Sequence, residues 1–190
     1  MNQYSIRLAG REDLALLGAI ERAAAELFPE NVISPEAKAS VVPPDQLAEA
    51  LVQHRLWVAV ASDRQPVGFS MVVSGKNTAF LSEVDVHPEH QRKGLGRALV
   101  LAAVSWAEAK EYPRITLTTF RDLPWNAPFY ERLGFRRIAA SELTEDLAWK
   151  LCDEKNQGLR GRVAMELLLS SPNNFSDPTG FSADAPKPVG

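Results

Sequence analysis

Residues 86–99 read VHPEHQRKGLGRAL. An alternating strand-like run ends at Val86, and Pro88 follows it. From Leu95 the apolar residues Ala98, Leu99, Ala102, Ala103 and Trp106 recur at i, i+3 and i+4, which predicts a helix over about 94–110. Two glycines, Gly94 and Gly96, therefore stand among basic residues where a helix begins. Glycine lets backbone approach a ligand closely, the first N–H groups of a helix have no intrahelical acceptor, and the positive end of the helix dipole favours an anion. Taken alone, the loop is either a structural turn or an anion site. Two phosphate motifs are absent: there is no GxxxxGK[ST], and Gly94-x-Gly96 lacks the third glycine of the dinucleotide fingerprint.

Working outward, the chain punctuates into alternating elements. Strands are predicted over 4–8, 56–61, 67–74, 78–86, 115–120, 135–139 and 162–169, with a hairpin turning at Asp63-Arg64-Gln65. Helices are predicted over about 11–27, 45–54, 126–133 and 145–155, besides the one after the glycines. The stretch 28–44 carries four prolines and reads as a long loop, either part of an acceptor pocket or a mobile surface segment. Gly134 is the residue type that accepts the left-handed stop of the short helix before it. This order makes an α+β domain over residues 1–169, with helices on both faces of a sheet. Residues 170–190 contain four prolines and little aliphatic content, and read as a flexible tail.

Composition narrows the function classes. At 190 residues, 45% hydrophobic and 24% charged, the chain fits one soluble domain, and folding can bury about 70% of the unfolded surface. A net charge of -3 argues against a general nucleic-acid binder. Cys152 is the only cysteine, so neither an intrachain disulfide nor a CxxC site can form. No apolar run suits a signal peptide or a membrane span, so the expected location is cytoplasmic, with no membrane partner. His54, His87 and His90 show no metal-ligand spacing, and no metal is expected.

A second stretch, residues 118–135, reads TTFRDLPWNAPFYERLGF. Together, the two stretches resemble the GNAT superfamily of N-acetyltransferases. Val84-Asp85-Val86 matches the family's apolar-x-apolar strand end, Gln91-x-x-Gly94-x-Gly96 its [QR]-x-x-G-x-[GA] loop, and Phe129-Tyr130 through Gly134-Phe135 its aromatic-Tyr-x-x-x-Gly-Phe helix end. The resemblance spans residues 4–169. It implies a mixed, mostly antiparallel sheet of about seven strands with helices on both faces. It also implies acetyl-CoA as co-substrate, with Gln91 among its binding residues, its diphosphate on backbone N–H groups of Arg92, Lys93, Gly94, Leu95, Gly96 and Arg97, and its pantetheine arm paired strand-like with Val84, Asp85 and Val86. The two glycines then admit a diphosphate.

Acetyl transfer to an amine requires loss of the amine's proton, stabilisation of an oxyanion and support for the departing thiolate. Backbone N–H groups near Val84–Val86 suit the oxyanion. Tyr130 matches the tyrosine that serves many relatives as general acid; the plainer reading is an amphipathic core residue beside Phe129. Glu83 matches a glutamate that acts in many relatives as base through water; alternatively it orients substrate or is a solvated strand-end acid. Alternation puts Glu83 on one face with Leu81 and Asp85 unless a bulge intervenes, and Asp85 would raise the pKa of one of the two carboxylates. Asn126 departs from the family pattern, whose cofactor-contacting asparagine falls at the position of Leu123. It is either the N-cap of the following helix, bonding the N–H of Phe129, or a cofactor contact. Trp57, Trp106 and Trp149 fit core positions, while Phe120 and Trp125 either line an acceptor pocket or pack the loop.

The reading is an N-acetyltransferase carrying the acetyl group of acetyl-CoA to a primary amine by direct attack in a ternary complex. The acceptor is a small-molecule or protein amine, and a homodimer is left open. The rivals are transfer of a longer acyl group, a non-catalytic acyl-CoA-binding module, and a nucleotide-binding regulator.

Overall fold

A computed structural model describes residues 4–169; the expected tail lies outside them. Seven strands form one sheet: β1 (Tyr4–Leu8), β2 (Leu56–Ala61), β3 (Pro66–Ser74), β4 (Ala79–Val86), β5 (Arg114–Phe120), β6 (Arg136–Arg137) and β7 (Arg162–Leu168). Their spatial order is β1-β2-β3-β4-β5-β7-β6. The first four run as an antiparallel meander, β5 lies parallel to β4, and β7 inserts antiparallel between β5 and β6.

Helices α1 (Leu14–Ala25), α2 (Pro35–Ala39), α3 (Pro44–Val52), α4 (Leu95–Ala109), α5 (Ala127–Glu131) and α6 (Glu145–Asn156) complete the domain. The central strands are apolar on both sides, so both faces need cover. Leu17 and Ile20 of α1 and Leu47 of α3 pack on Val58, Phe69 and Met71. On the other face, Leu99 and Ala103 of α4 pack on Trp57, Val72, Leu81 and Ile115. Among the described residues no helix is long and apolar enough to cross a membrane.

The structure departs from the sequence reading at several places. The stretch 28–44 holds α2, started by Pro35 and capped by Ser34, whose hydroxyl accepts the N–H of Ala37 at 3.2 Å. Buried Asp13 accepts the N–H of Gly10 and both guanidinium N–H groups of Arg7, tying β1 to α1. The strand expected over 135–139 shrinks to Arg136–Arg137, an exposed edge strand that gives way to a turn at Ala140–Glu142. Trp149 is no core residue: α6 turns Leu147 and Glu154 inward and leaves Trp149 67% exposed.

Candidate active site

The site forms where β4 and β5 part. They pair only at Ala79–Ile115 and Phe80–Thr116; beyond that point, among the described residues, the facing edge of β4 has no strand partner. The N–H of His87 donates to the carbonyl of Val67 at 2.8 Å, and antiparallel bonding alternates. Asp85 therefore bonds to Phe69 across the ladder, while Val84 and Val86 turn their backbone groups into the opening.

A bulge sets what else points there. β3 pairs Met71 with Glu83 and Val72 with Leu81, leaving Ser82 unopposed. The Ser82 hydroxyl donates to the carbonyl of Met71 at 3.1 Å. The extra residue reverses the alternation. Leu81, Val84 and Val86 thus pack on the α4 side, and Glu83 and Asp85 turn to the α1 side, so Leu81 does not share their face as expected.

The glycine loop closes one end. Arg92 and Gly94 both adopt left-handed backbone, with φ of 57° and 81°. Gly94 is the N-cap of α4 without a side-chain cap, so the first N–H groups of this 15-residue helix stay open to the cleft. A Cβ on Gly94 would meet nothing within 4 Å, and one on Gly96 only Phe129 at 3.7 Å. The space beside both glycines is available to a ligand, and a diphosphate suits the donors lining it. The side-chain amide of Gln91 donates to the carbonyl of Val86 at 3.1 Å and clips the loop to the strand end. Lys93 points away, donating to the Tyr4 hydroxyl at 2.8 Å and the Glu89 carbonyl at 3.1 Å.

The cleft, about 530 Å³, is lined by Val84, Asp85, Val86, Gln91, Arg92 and the run Gly94 to Arg97, with Asn126, Phe129, Tyr130 and Arg132 opposite and Ala24, Leu27, Phe28 and Trp125 at its α1 side. Trp125, 49% exposed, lies 6.4 Å from Phe28, whose ring packs 5.1 Å from buried Phe120. Trp125 thus lines the cleft rather than only packing its loop.

Asn126 is buried, but not as the side-chain cap one reading expected. The backbone carbonyl of Asn126 accepts the N–H of Phe129 at 2.8 Å, while its side-chain oxygen accepts the Thr119 hydroxyl at 3.0 Å. The side chain is drawn off the helix end to pin α5 against β5.

Tyr130 packs edge-on against Phe129 and Phe135, and its hydroxyl has no hydrogen-bond partner among the described residues. Burial, reinforced by the nearby carboxylates of Asp85 and Glu83, pushes its pKa up against the opposing pull of Arg162, so the phenol keeps its proton. Burial also lifts Asp85 to about 8, with Glu21 of α1 adding to the shift. Glu83 is raised by burial and by the charges of Asp85 and Glu21, with Arg162 and Lys150 opposing.

Glu21 and Arg162 had no part in the sequence reading. Glu21 did leave a signal: it is a carboxylate set in the apolar stripe of Leu17, Ile20 and Ala24, where it accepts the N–H of Val42 at 2.9 Å. Arg162 left none. It is held by Glu154 at 2.9 Å and the Thr118 carbonyl at 3.0 Å, stacked over Phe120. The linear spacing also hid a cluster: His87, Glu89 and His90 come together at the neck of the loop.

Residues 20–135 match the model of the acetyltransferase (GNAT) family, and the chain belongs to that family. It is 32% identical over 101 residues to the peptidyl-lysine N-acetyltransferase YjaB of Escherichia coli K12, covering 53% of this chain and 63% of that protein. The same protein of Salmonella typhimurium is 27% identical over 99 residues, covering 52% and 62%. The matched part therefore spans under two thirds of these curated relatives. The fold is shared with the PaiA N-acetyltransferase of Thermoplasma acidophilum in complex with coenzyme A, with TM-score 0.67, 21% identity, and 87% and 98% of the two chains covered. It is shared also with the N-acetylglutamate synthase of Neisseria gonorrhoeae complexed with coenzyme A and N-acetylglutamate, with TM-score 0.66, 16% identity, and 88% and 35% covered.

Proposed function

We propose that this protein transfers the acetyl group of acetyl-CoA to a primary amine by direct attack in a ternary complex. The observation that carries the reading is the parting of β4 and β5 beside the uncapped N-terminus of α4, with Tyr130 and the raised carboxylate of Asp85 lining the cleft there and the raised carboxylate of Glu83 two residues before Asp85 on the same face of β4. Acetyl-CoA, when bound, supplies an acetyl group activated as a thioester.

The chain's own groups divide the remaining work. The N–H groups of Gly94 to Arg97 receive a diphosphate, and Gly94 and Gly96 leave the backbone bare enough for it to approach. The open edge at Val84 and Val86 offers hydrogen bonds to an extended amide-bearing arm and a donor to a developing oxyanion. Tyr130, held protonated, donates to a departing thiolate. Glu83, raised toward the range in which a base is useful, takes the proton of the acceptor ammonium directly or through water. The acceptor enters from the α1 side past Phe28 and Trp125. The similarity to enzymes named peptidyl-lysine N-acetyltransferase supports a lysine side chain as one acceptor to try first.

The test is a panel of amines, including lysine peptides, incubated with acetyl-CoA and read by release of free thiol. Thiol release with acetylated amine is expected for wild type and not for Gly96→Asp. A thermal shift with coenzyme A but no turnover on any amine would leave a binding module.

A further inference from the structure

The turn leading into the glycine loop carries a group of side chains that the transfer reaction does not use. The N–H of His90 donates to the carbonyl of His87 at 2.9 Å, closing one tight turn in which residues i and i+3 eclipse. Their imidazoles consequently stand together, 6.0 Å between ring centres, with the carboxylate of Glu89 beside them. One donor atom from each of His87, Glu89 and His90 lies within 4.8 Å of the other two. A tetrahedral zinc centre with bonds of about 2.1 Å spaces its ligands about 3.4 Å apart, so modest side-chain rotation closes the set.

The surroundings orient one ligand. Nδ1 of His90 lies 3.0 Å from the Tyr4 hydroxyl, and the two rings meet edge to face. With Nδ1–H donating to that oxygen, Nε2 carries the free lone pair, the arrangement by which an outer hydrogen bond aims a metal-binding histidine. His87 is only lightly committed: its Nδ1 accepts the N–H of Glu89 over a long 3.4 Å. An adverse charge stands nearby on Lys93, whose ammonium donates to the same Tyr4 hydroxyl and to the Glu89 carbonyl.

We propose that His87, Glu89 and His90 bind a divalent transition metal of the zinc class at the foot of the glycine loop. Two imidazoles and a carboxylate suit zinc, nickel or copper rather than calcium or magnesium, and three protein ligands leave a position for water. Bound there, the ion would brace the turn against β1 and fix the segment from which Gln91 to Arg97 spring.

The experiment is titration of the full chain with zinc chloride against a chromophoric chelator, which needs no acetyl donor and so stands apart from the transferase reading. One equivalent is expected to bind. His90→Ala and Glu89→Gln should each weaken it by at least about tenfold. Lys93→Ala should tighten it, since it removes a neighbouring cation. That last variant leaves all three ligands in place and decides the matter should a ligand variant misfold. Absence of binding, unchanged affinity in His90→Ala, loss with His54→Ala instead, or no tightening in Lys93→Ala would each overturn the site.

Discussion

Leu81 and Glu83 stand two residues apart on β4 yet face opposite sides of the sheet, because Ser82 has no partner on β3. One unpaired residue converts a strand that would bury both side chains alike into one that packs a leucine under α4 and presents a carboxylate toward α1.

Glu83→Gln should lower turnover and remove the acidic limb of the pH–rate profile while leaving the thermal shift with acetyl-CoA intact, since the amide keeps the shape but cannot take a proton. In wild type that limb should lie above the ordinary carboxylate range, because burial, Asp85 and Glu21 raise Glu83. A persisting limb in the variant would place the base elsewhere.

Asp85 makes stability depend on pH in a sense opposite to that of an ion-paired acid. Its folded pKa is about 8 against 3.8 for the unconstrained group, so between those values the folded state holds a proton that the unfolded state releases. Stability should therefore fall as pH rises from about 4 to about 8, by at most about 1.4 kcal/mol per unit, and level off beyond. Asp85→Asn should flatten this slope in urea melts at pH 5 and pH 8; an unchanged slope would remove Asp85 as its source.

The two loop glycines should separate folding from binding. Gly94 sits at φ 81°, where any Cβ is strained, so Gly94→Ala should cost about 1–3 kcal/mol of stability. Gly96 has room for a side chain against Phe129, so Gly96→Asp should melt near wild type yet lose the shift with coenzyme A, its carboxylate opposing a diphosphate. Retention of that shift would take the loop out of the cofactor site.

Trp125 is half exposed on the cleft wall, so Trp125→Ala should scarcely move the melting temperature while raising KM for the acceptor more than it lowers kcat. A large loss of stability with unchanged KM would make it a packing residue.

Much of this was legible in the sequence because its signals are local. The i, i+3, i+4 apolar series marks α4, and Gly134, at φ 93°, marks the stop after α5. What escaped depends on cross-strand register or on contacts distant in sequence. Neither the bulge at Ser82 nor the redirection of Asn126 to Thr119, seven residues back on β5, has a local signature. Arg162 reaches Thr118 across 44 residues, a pairing only the insertion of β7 beside β5 creates. Trp149 misled because hydrophobicity alone suggested burial, whereas the phase of α6 was set by Leu147 and Glu154.

The most direct test of the transfer chemistry is steady-state kinetics of Tyr130→Phe at saturating acetyl-CoA. The substitution removes one hydroxyl that has no protein partner among the described residues and keeps the ring that packs on Phe129 and Phe135, so the fold should be spared to within about 1 kcal/mol. If the phenol protonates the departing thiolate, kcat and kcat/KM for the acceptor fall together, by about 10²-fold, the lower end for a lost general acid because a thiolate needs little help near pH 8. A fall in kcat of less than about threefold, with only the acetyl-CoA constant weakened, would contradict it and leave Tyr130 as a cofactor contact.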